Sequence, residues 1–91
     1  MDFEWDEAKS EWTRRERGVG FETAVRIFEG QVVEWEDQRH AWGEIRIVAV
    51  GVVESRFVTV IYTLRNERRR IISARHSRKK EKERWLSFAR P

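Results

Sequence analysis

One polar segment, W-E-D-Q-R-H-A-W-G-E-I-R at residues 35–46, brings chemically active side chains close together in the chain. It contains Asp37, Arg39, His40, Glu44 and Arg46. A histidine can carry a proton near neutral pH, and a carboxylate can act as a base or orient the histidine. The segment therefore has the groups of an acid–base site. An ordinary polar loop, in which the aspartate and the first arginine cap one another, explains the same spacing and is the preferred interpretation.

A second group of charges follows the last β-rich run, in R-I-I-S-A-R-H-S-R-K-K-E-K-E-R-W at residues 70–85. Ser77 is suited to cap a helix, which places Arg78, Lys79 and Lys80 in its first turn. The partial positive charge of a helix N-terminus repels cations there, unless an anion lies over the exposed N–H groups. The segment therefore predicts an anionic partner.

Two side chains, Arg75 and Trp42, each have an interpretation with a ligand and one without. The Arg75 guanidinium could hold a phosphate through two hydrogen bonds, or it could pair with Glu81 or Glu83, and the sequence does not decide between these. Trp42 could stack on a base, although a lid over the sheet edge is preferred. His76 is interpreted as an ordinary exposed residue at a strand–helix junction.

The net charge of +3 hides a strong asymmetry along the 91 residues. Residues 1–64 hold 8 Lys and Arg against 13 Asp and Glu, a balance of −5, whereas residues 65–91 hold 11 against 3, a balance of +8. A basic end of this density is typical of proteins that contact phosphate backbones. A solvated, charged helix is the alternative.

Several classes of function lack their sequence signatures. The chain has no cysteine, which excludes disulfides and cysteine–zinc sites and fits a reducing compartment. Phosphate-loop, dinucleotide-binding, serine-hydrolase and zincin motifs are absent, and we expect neither a metal site nor a cofactor. No apolar run approaches the roughly 20 residues that cross a bilayer, and the N-terminus is acidic. We expect one domain over residues 1–91, in the cytoplasm and without membrane contact.

The first part of the chain predicts a short strand and a helix. Phe3 and Trp5 alternate with acidic residues, which is the period of a strand with one buried face. Residues 6–17 predict a helix that has Asp6 as its N-cap and ends at Gly18. We expect Trp5 and Trp12 to pack in the core.

The rest of the chain predicts a second helix, a sheet and a third helix. Residues 21–30 form an amphipathic pattern with Phe21, Ala24, Val25 and Phe28 on its packed face. The β-rich runs are residues 31–37, 44–53, 57–64 and 69–75, with turns at residues 51–55 and 65–67. Residues 58–62 are nearly all apolar and predict a central strand.

The expected fold class is α+β. The last helix, residues 77–90, is apolar only at its far end, where Trp85, Leu86, Phe88 and Ala89 are expected to dock on the sheet. An antiparallel sheet of about four strands would then pack against two N-terminal helices and one C-terminal helix on one face.

Five motifs in order resemble the BrnT family of toxins, over nearly the whole chain. They are F-E-W-D-E-A-K (residues 3–9), G-V-x-F-E-x-A-x-x-x-F (18–28), D-x-R-H-x-W-G-E-x-R (37–46), V-I-Y-T-x-R (60–65) and R-I-I-S-A-R (70–75). The resemblance implies a RelE-like ribonuclease of a bacterial type II toxin–antitoxin system. It also implies a small BrnA-like antitoxin with a ribbon-helix-helix region, in a hetero-oligomer that binds operator DNA through the antitoxin.

The chain departs from the family at one motif. Where the family usually has K-H-G before the second helix, this chain has Glu16, Arg17 and Gly18. Either the loss of the histidine weakens activity, or Arg17 supplies a fixed charge in its place. The sequence leaves both alternatives open.

The resemblance also implies how RNA would be cleaved without a metal. RelE-like enzymes rely on arginine and lysine charges at the phosphate, so we assign catalytic roles to Arg65 and Arg75, with Glu44 or His40 as the proton carrier. The RNA-binding residues are then Arg39, Arg46, Arg70, Arg78, Lys79 and Lys80. Two other functions remain: a nucleic-acid-binding module that does not cut, and a protein-interaction domain whose basic helix docks on an acidic antitoxin.

Overall fold

The computed structural model describes residues 2–38 and 43–89, whose strands form one sheet between two layers of helix. The elements in chain order are β1 (Phe3–Glu4), α1 (Glu7–Arg17), α2 (Phe21–Ala24), a 3₁₀ helix (Val25–Glu29), β2 (Val33–Glu36), β3 (Ile47–Val53), β4 (Arg56–Arg65), β5 (Arg68–His76) and α3 (Lys79–Ala89). The strand order is β1-β5-β4-β3-β2. The apolar run in β4 is therefore central, which confirms the prediction from its composition.

The sheet is mixed, which corrects the expectation of about four antiparallel strands. β1 adds a fifth strand and pairs in parallel with β5, with Phe3 opposite Arg69 and Glu4 opposite Arg70. The other pairings are antiparallel. A two-residue strand carries too little pattern to specify which neighbour it joins or in which direction. The parallel pairing depends instead on the path of the chain between the two strands, which sets the side of β5 on which β1 lies.

The ends of α1 follow the sequence signals. The Asp6 carboxylate accepts a hydrogen bond from the Lys9 N–H at 3.1 Å, as an N-cap does. Gly18 ends the helix with a φ of 81°, and its N–H donates to the Arg14 carbonyl. Both predicted boundaries are confirmed.

The packed face of α1 is polar, so the prediction that Trp12 packs in the core is wrong. Trp12 is 47% exposed, whereas Ser10 and Thr13 are buried. The Ser10 hydroxyl accepts a hydrogen bond from the Phe21 N–H at 2.9 Å, and the Thr13 hydroxyl donates to the Lys9 carbonyl at 2.8 Å. Because each hydroxyl has a partner, its burial is tolerated without an apolar stripe. Trp5, by contrast, packs against the core as expected.

The predicted helix over residues 21–30 divides into α2 and the 3₁₀ helix. A 3₁₀ helix repeats every three residues. The fully buried residues are therefore Phe21, Ala24 and Ile27, and not those that a 3.6-residue repeat would bury. Ile27 packs directly onto Gly51 of β3, where a Cβ would lie 2.7 Å from the Ile27 Cβ. This close approach accounts for a glycine in the middle of a strand.

Helices cover both faces of the sheet, which corrects the expectation of a single covered face. Val58 and Val60 of β4 lie in the core beneath α2. Thr59, between them, points to the opposite face, where its hydroxyl donates to Glu81 of α3. Arg75, the partner of Thr59 across the ladder, also contacts Glu81.

Trp85 docks the far part of the third helix on the sheet. The Trp85 ring packs edge-on against Phe57 at 5.4 Å, and its indole N–H donates to the Gln31 carbonyl. Leu86 and Phe88 remain 38% and 66% exposed, so only part of the predicted apolar end docks. No residue of α3 is fully buried. Within residues 2–38 and 43–89, no helix is long and apolar enough to cross a membrane.

Candidate functional site

The hairpin of β4 and β5 carries four arginines on the sheet face that α3 partly covers. Residues paired across a ladder share a face, and alternate residues of one strand point the same way. The register pairs Arg65 with Arg68, Thr63 with Arg70, and Thr59 with Arg75. We call the positions Arg65, Arg68, Arg70 and Arg75 the arginine face.

A register shift in β5 aligns these arginines. Arg70 and Arg75 are five residues apart, so a regular strand would place them on opposite faces. The ladder slips by one residue opposite the middle of β4, and Ile71 and Ala74 both point into the core as a result. Simple alternation would place Ile71 and Arg75 on one face, and the register shift puts them on opposite faces instead.

The two arginines assigned to catalysis lie at opposite ends of the arginine face. Thr59 pairs with Arg75, and Arg65 is six residues further along β4. At the rise of an extended strand this separates Arg65 from Arg75 by about 20 Å. Since Glu81 also holds the Arg75 guanidinium at its own end, the two arginines are placed to contact different phosphates of one extended strand of RNA.

The first end of the arginine face adjoins Glu44 and Arg46. The Arg46 guanidinium lies 3.4 Å from the Glu44 carboxylate, and both side chains are about one-third exposed. Glu44 also lines a shallow surface cavity of about 500 Å³ with Thr63 of β4. Arg70 lies 3.9 Å from Glu4 of β1. The ion pair of Glu44 and Arg46 thus lies beside Thr63, which pairs with Arg70 across the ladder and is two residues from Arg65 on β4.

Three of the predicted residues cannot be placed at this end. Arg39, His40 and Trp42 lie outside the residues that the structure describes. Their predicted roles in RNA binding, proton transfer and base stacking stay predictions.

The second end is built around an ion pair between β5 and α3. The two terminal nitrogens of Arg75 donate to the two Glu81 oxygens at 2.6 and 2.8 Å. The side chains are 16% and 12% exposed. Glu81 also accepts from the Arg78 N–H at 2.8 Å and from the Thr59 hydroxyl at 3.0 Å. Of the alternatives open for Arg75, the structure shows pairing with Glu81.

The anion over the start of α3 is thus the protein's own carboxylate. The helix begins at Lys79, and Glu81 reaches back to the Arg78 N–H in the way of a capping box. Ser77, the predicted cap, instead lies 2.7 Å from the Thr59 hydroxyl. Lys80 and its basic neighbours remain exposed around the paired carboxylate.

Hydrogen bonds keep Glu81 ionised. Burial by itself would raise the pKa of Glu81, but the hydrogen bonds from Arg75 and from the Arg78 N–H hold it below its ordinary value. The carboxylate therefore neutralises part of the positive charge at this end at neutral pH.

Arg17, from the motif that departs from K-H-G, also lies beside this site, although it was not among the residues assigned to it. The Arg17 guanidinium donates to the Ser73 hydroxyl at 3.0 Å and lies 5.5 Å from the centroid of the Trp12 ring. Ser73 is on the arginine face, between its two ends. A Cβ at Gly18 would lie 3.5 Å from Nε2 of His76. The only signal for Arg17 in the sequence is the altered motif itself.

Arg69 differs from its two arginine neighbours. It points to the core face, where its guanidinium lies 4.1 Å from the centroid of Phe28 and 5.3 Å from that of Tyr62. Its Nε is buried without a hydrogen-bond partner. Burial, together with the hydrogen bond to Glu34, raises the pKa of Tyr62 despite the nearby guanidinium. Arg69 therefore belongs to the packing and not to the arginine face.

The described residues of the arginine face offer fixed positive charge. In the described part of the chain, no cluster of three or more His, Asp or Glu side chains is arranged to hold a metal ion. Guanidinium and ammonium groups in this arrangement can bind successive phosphates and stabilise added negative charge on one of them.

Comparison with known proteins gives one family. The model of the family described as "Ribonuclease toxin, BrnT, of type II toxin-antitoxin system" matches residues 5–81. The match begins just after β1, includes β2 to β5, and ends at Glu81, the partner of Arg75. No curated protein matches the chain.

Proposed function

Because the chain belongs to the BrnT family of ribonuclease toxins of type II toxin–antitoxin systems, we propose that it cleaves RNA endonucleolytically without a metal ion and so inhibits translation and growth. The observation that supports this most is the arginine face. Its four guanidinium groups share one side of a hairpin that α3 partly covers. A strand of RNA laid along β4 and β5 would meet cations from one end to the other.

In this proposal the scissile phosphate lies at the first end. Metal-independent cleavage needs a base for the ribose 2′-OH, cations for the pentacoordinate phosphate and an acid for the leaving 5′-oxygen. Arg65 stabilises the phosphate there, with Arg70 and Arg46 beside it. Glu44 or His40 carries the proton. The hydrogen bond from Arg46 orients the Glu44 carboxylate.

The second end then binds the same RNA at a distance from the reaction. Because about 20 Å separates the ends, Arg75 contacts a different phosphate of the strand from Arg65. Arg78, Lys79 and Lys80 add exposed charge beside it. Arg17, held by Ser73, supplies a fixed cation between the ends, which favours the second of the two explanations for the altered motif.

The partner of the toxin is proposed to be a cognate, BrnA-like antitoxin of the ribbon-helix-helix type. It neutralises the toxin in the cytoplasm, and the hetero-oligomer binds operator DNA through the antitoxin. The excess of positive charge in residues 65–91 suits both an RNA strand and an acidic antitoxin.

A second candidate function is a nucleic-acid-binding module of the same fold that does not cut. The observation in its favour is that position 17 carries an arginine, which is not a proton carrier near neutral pH. This module would bind nucleic acid through the arginine face, in a salt-sensitive way, but would not cleave it.

Controlled expression separates these functions. Wild-type protein and Arg65→Gln are induced without the antitoxin, and growth and incorporation of labelled amino acids are followed. We expect the wild type to stop both and Arg65→Gln to be tolerated at equal protein level. Normal growth with folded wild-type protein would contradict the toxin and favour the binding module.

A further inference from the structure

The Glu81 carboxylate occupies a set of donors that suits a phosphate. Two guanidinium N–H groups of Arg75, the Arg78 N–H and the Thr59 hydroxyl all point at its two oxygens, at 2.6 to 3.0 Å. A phosphodiester presents two unesterified oxygens to an arginine in the same forked arrangement. None of these donors is specific for a carboxylate.

We propose that this second-end site binds a phosphate of the RNA, and that Glu81 is a resident anion that the phosphate displaces. The inference rests on the proposed function, because that function supplies the RNA whose phosphate would bind at Arg75. Glu81 then competes with the RNA phosphate for Arg75 and so limits RNA affinity.

The charges around the site favour the exchange. Arg78, Lys79 and Lys80 are exposed around the ion pair, and the helix N-terminus adds a partial positive charge. Glu81 supplies a single negative charge against these cations and Arg75. An incoming phosphate therefore meets a site that remains net positive while the carboxylate is bound.

The packing of α3 allows its first turn to move. No residue of α3 is fully buried, and one turn after Glu81 the helix makes contacts of its own with the sheet. There Trp85 packs on Phe57, and the Arg84 guanidinium lies 4.0 Å from the centroid of Trp35. Glu81 can thus leave Arg75 while these two contacts keep the rest of the helix on the sheet.

The direct test compares Glu81→Gln with Glu83→Gln, which removes an exposed carboxylate from the same helix. The probe is a single-stranded oligonucleotide with 2′-deoxy sugars, which binds without being cut. We expect Glu81→Gln to tighten binding about tenfold, the value of one charge-assisted hydrogen bond. The slope of log affinity against log salt should steepen by about 0.7, one phosphate contact on a single strand. Glu83→Gln should change affinity less than about twofold.

Removal of the Arg75 cation tests whether the gain in affinity depends on it. In the Glu81→Gln background, Arg75→Gln should abolish the gain in affinity and the added slope. If Glu81→Gln binds no more tightly than Glu83→Gln, or if the gain survives without Arg75, the inference is wrong. If neither the wild type nor any variant binds the strand, the proposed function fails as well.

A measurement on the wild type avoids dependence on the fold of a variant. The ¹³C chemical shift of the Glu81 carboxylate is followed by NMR while the deoxy oligonucleotide is added. We expect it to move to the value of a solvent-exposed glutamate at saturation. A shift that stays unchanged with the strand fully bound would overturn the exchange even though RNA binding itself is real.

Discussion

Arg75 in β5 and Glu81 in α3 form a bidentate ion pair, with nitrogen–oxygen distances of 2.6 and 2.8 Å, that ties the last helix to the sheet. The pair places the guanidinium proposed to bind RNA under an internal anion. It also makes the same residue part of the folded structure, so loss of activity on changing Arg75 has two possible causes. The stability of each variant must therefore be measured beside its activity.

Arg75→Gln should lower the free energy of unfolding by about 2–3 kcal/mol, because it leaves the mostly buried Glu81 carboxylate without its cation. Urea unfolding followed by circular dichroism measures this. Arg15→Gln, at an exposed site on α1, is the matched control and should change stability by less than about 0.5 kcal/mol. Equal stability of the two variants would show that the ion pair contributes nothing.

The stability of the protein at acid pH should depend on the ionisation of Glu81. Its pKa is lowered in the folded protein, so its contribution is present above the ordinary value of 4.5 and is lost as the pH falls through the lower folded value. The wild type should therefore lose more stability below pH 4.5 than Glu81→Gln does. Chemical denaturation at a series of pH values from neutral to acid makes the comparison. Parallel curves for the two proteins would rule out a lowered pKa.

Arg65→Gln should reduce RNA cleavage by a factor on the order of 10²–10³, the usual cost of one fixed charge at the transition state. The side chain is exposed, so the fold should be unaffected. Rates with purified protein and a labelled RNA give the ratio, with Arg15→Gln as the control. A variant that cleaves at the wild-type rate would remove Arg65 from the reaction.

Gly51→Ala tests the contact that holds the 3₁₀ helix on β3. The added Cβ would lie 2.7 Å from the Ile27 Cβ, so we expect a loss of about 1–3 kcal/mol from overpacking. Gly30→Ala is the control, because a Cβ at Gly30 meets nothing within 4 Å. Thermal unfolding of both variants decides. No difference between them would mean that the helix and the strand lie further apart than described.

The sequence predicts features that depend on neighbours in the chain. The Asp6 cap, the Gly18 stop and the central position of residues 58–62 all follow from local pattern, and the structure confirms them. Features that depend on which strand or face an element packs against could not be predicted from local pattern. The parallel pairing of β1 and the placing of α3 on the second face are of this kind.

The three consecutive arginines at the start of β5 show the same limit at the site. Arg68, Arg69 and Arg70 are chemically alike, yet the middle one stacks on Phe28 and the other two lie on the arginine face. Alternation separates Arg69 from its neighbours, but only the register shift further along β5 places Arg75 with them. Such a shift leaves no mark in composition or periodicity. Family membership, in contrast, was evident from five short motifs in order.

Cleavage of a defined RNA by the purified protein in excess EDTA tests the central claim most directly. The substrate is compared with the same strand in which single riboses are replaced by 2′-deoxyribose. We expect cleavage of the all-ribose strand in EDTA, and protection of a cleavage site when the sugar on its 5′ side lacks the 2′-OH. Absence of cleavage in EDTA with restoration by Mg²⁺, or equal cleavage of the deoxy-substituted site, would contradict a metal-independent ribonuclease that acts through the 2′-OH.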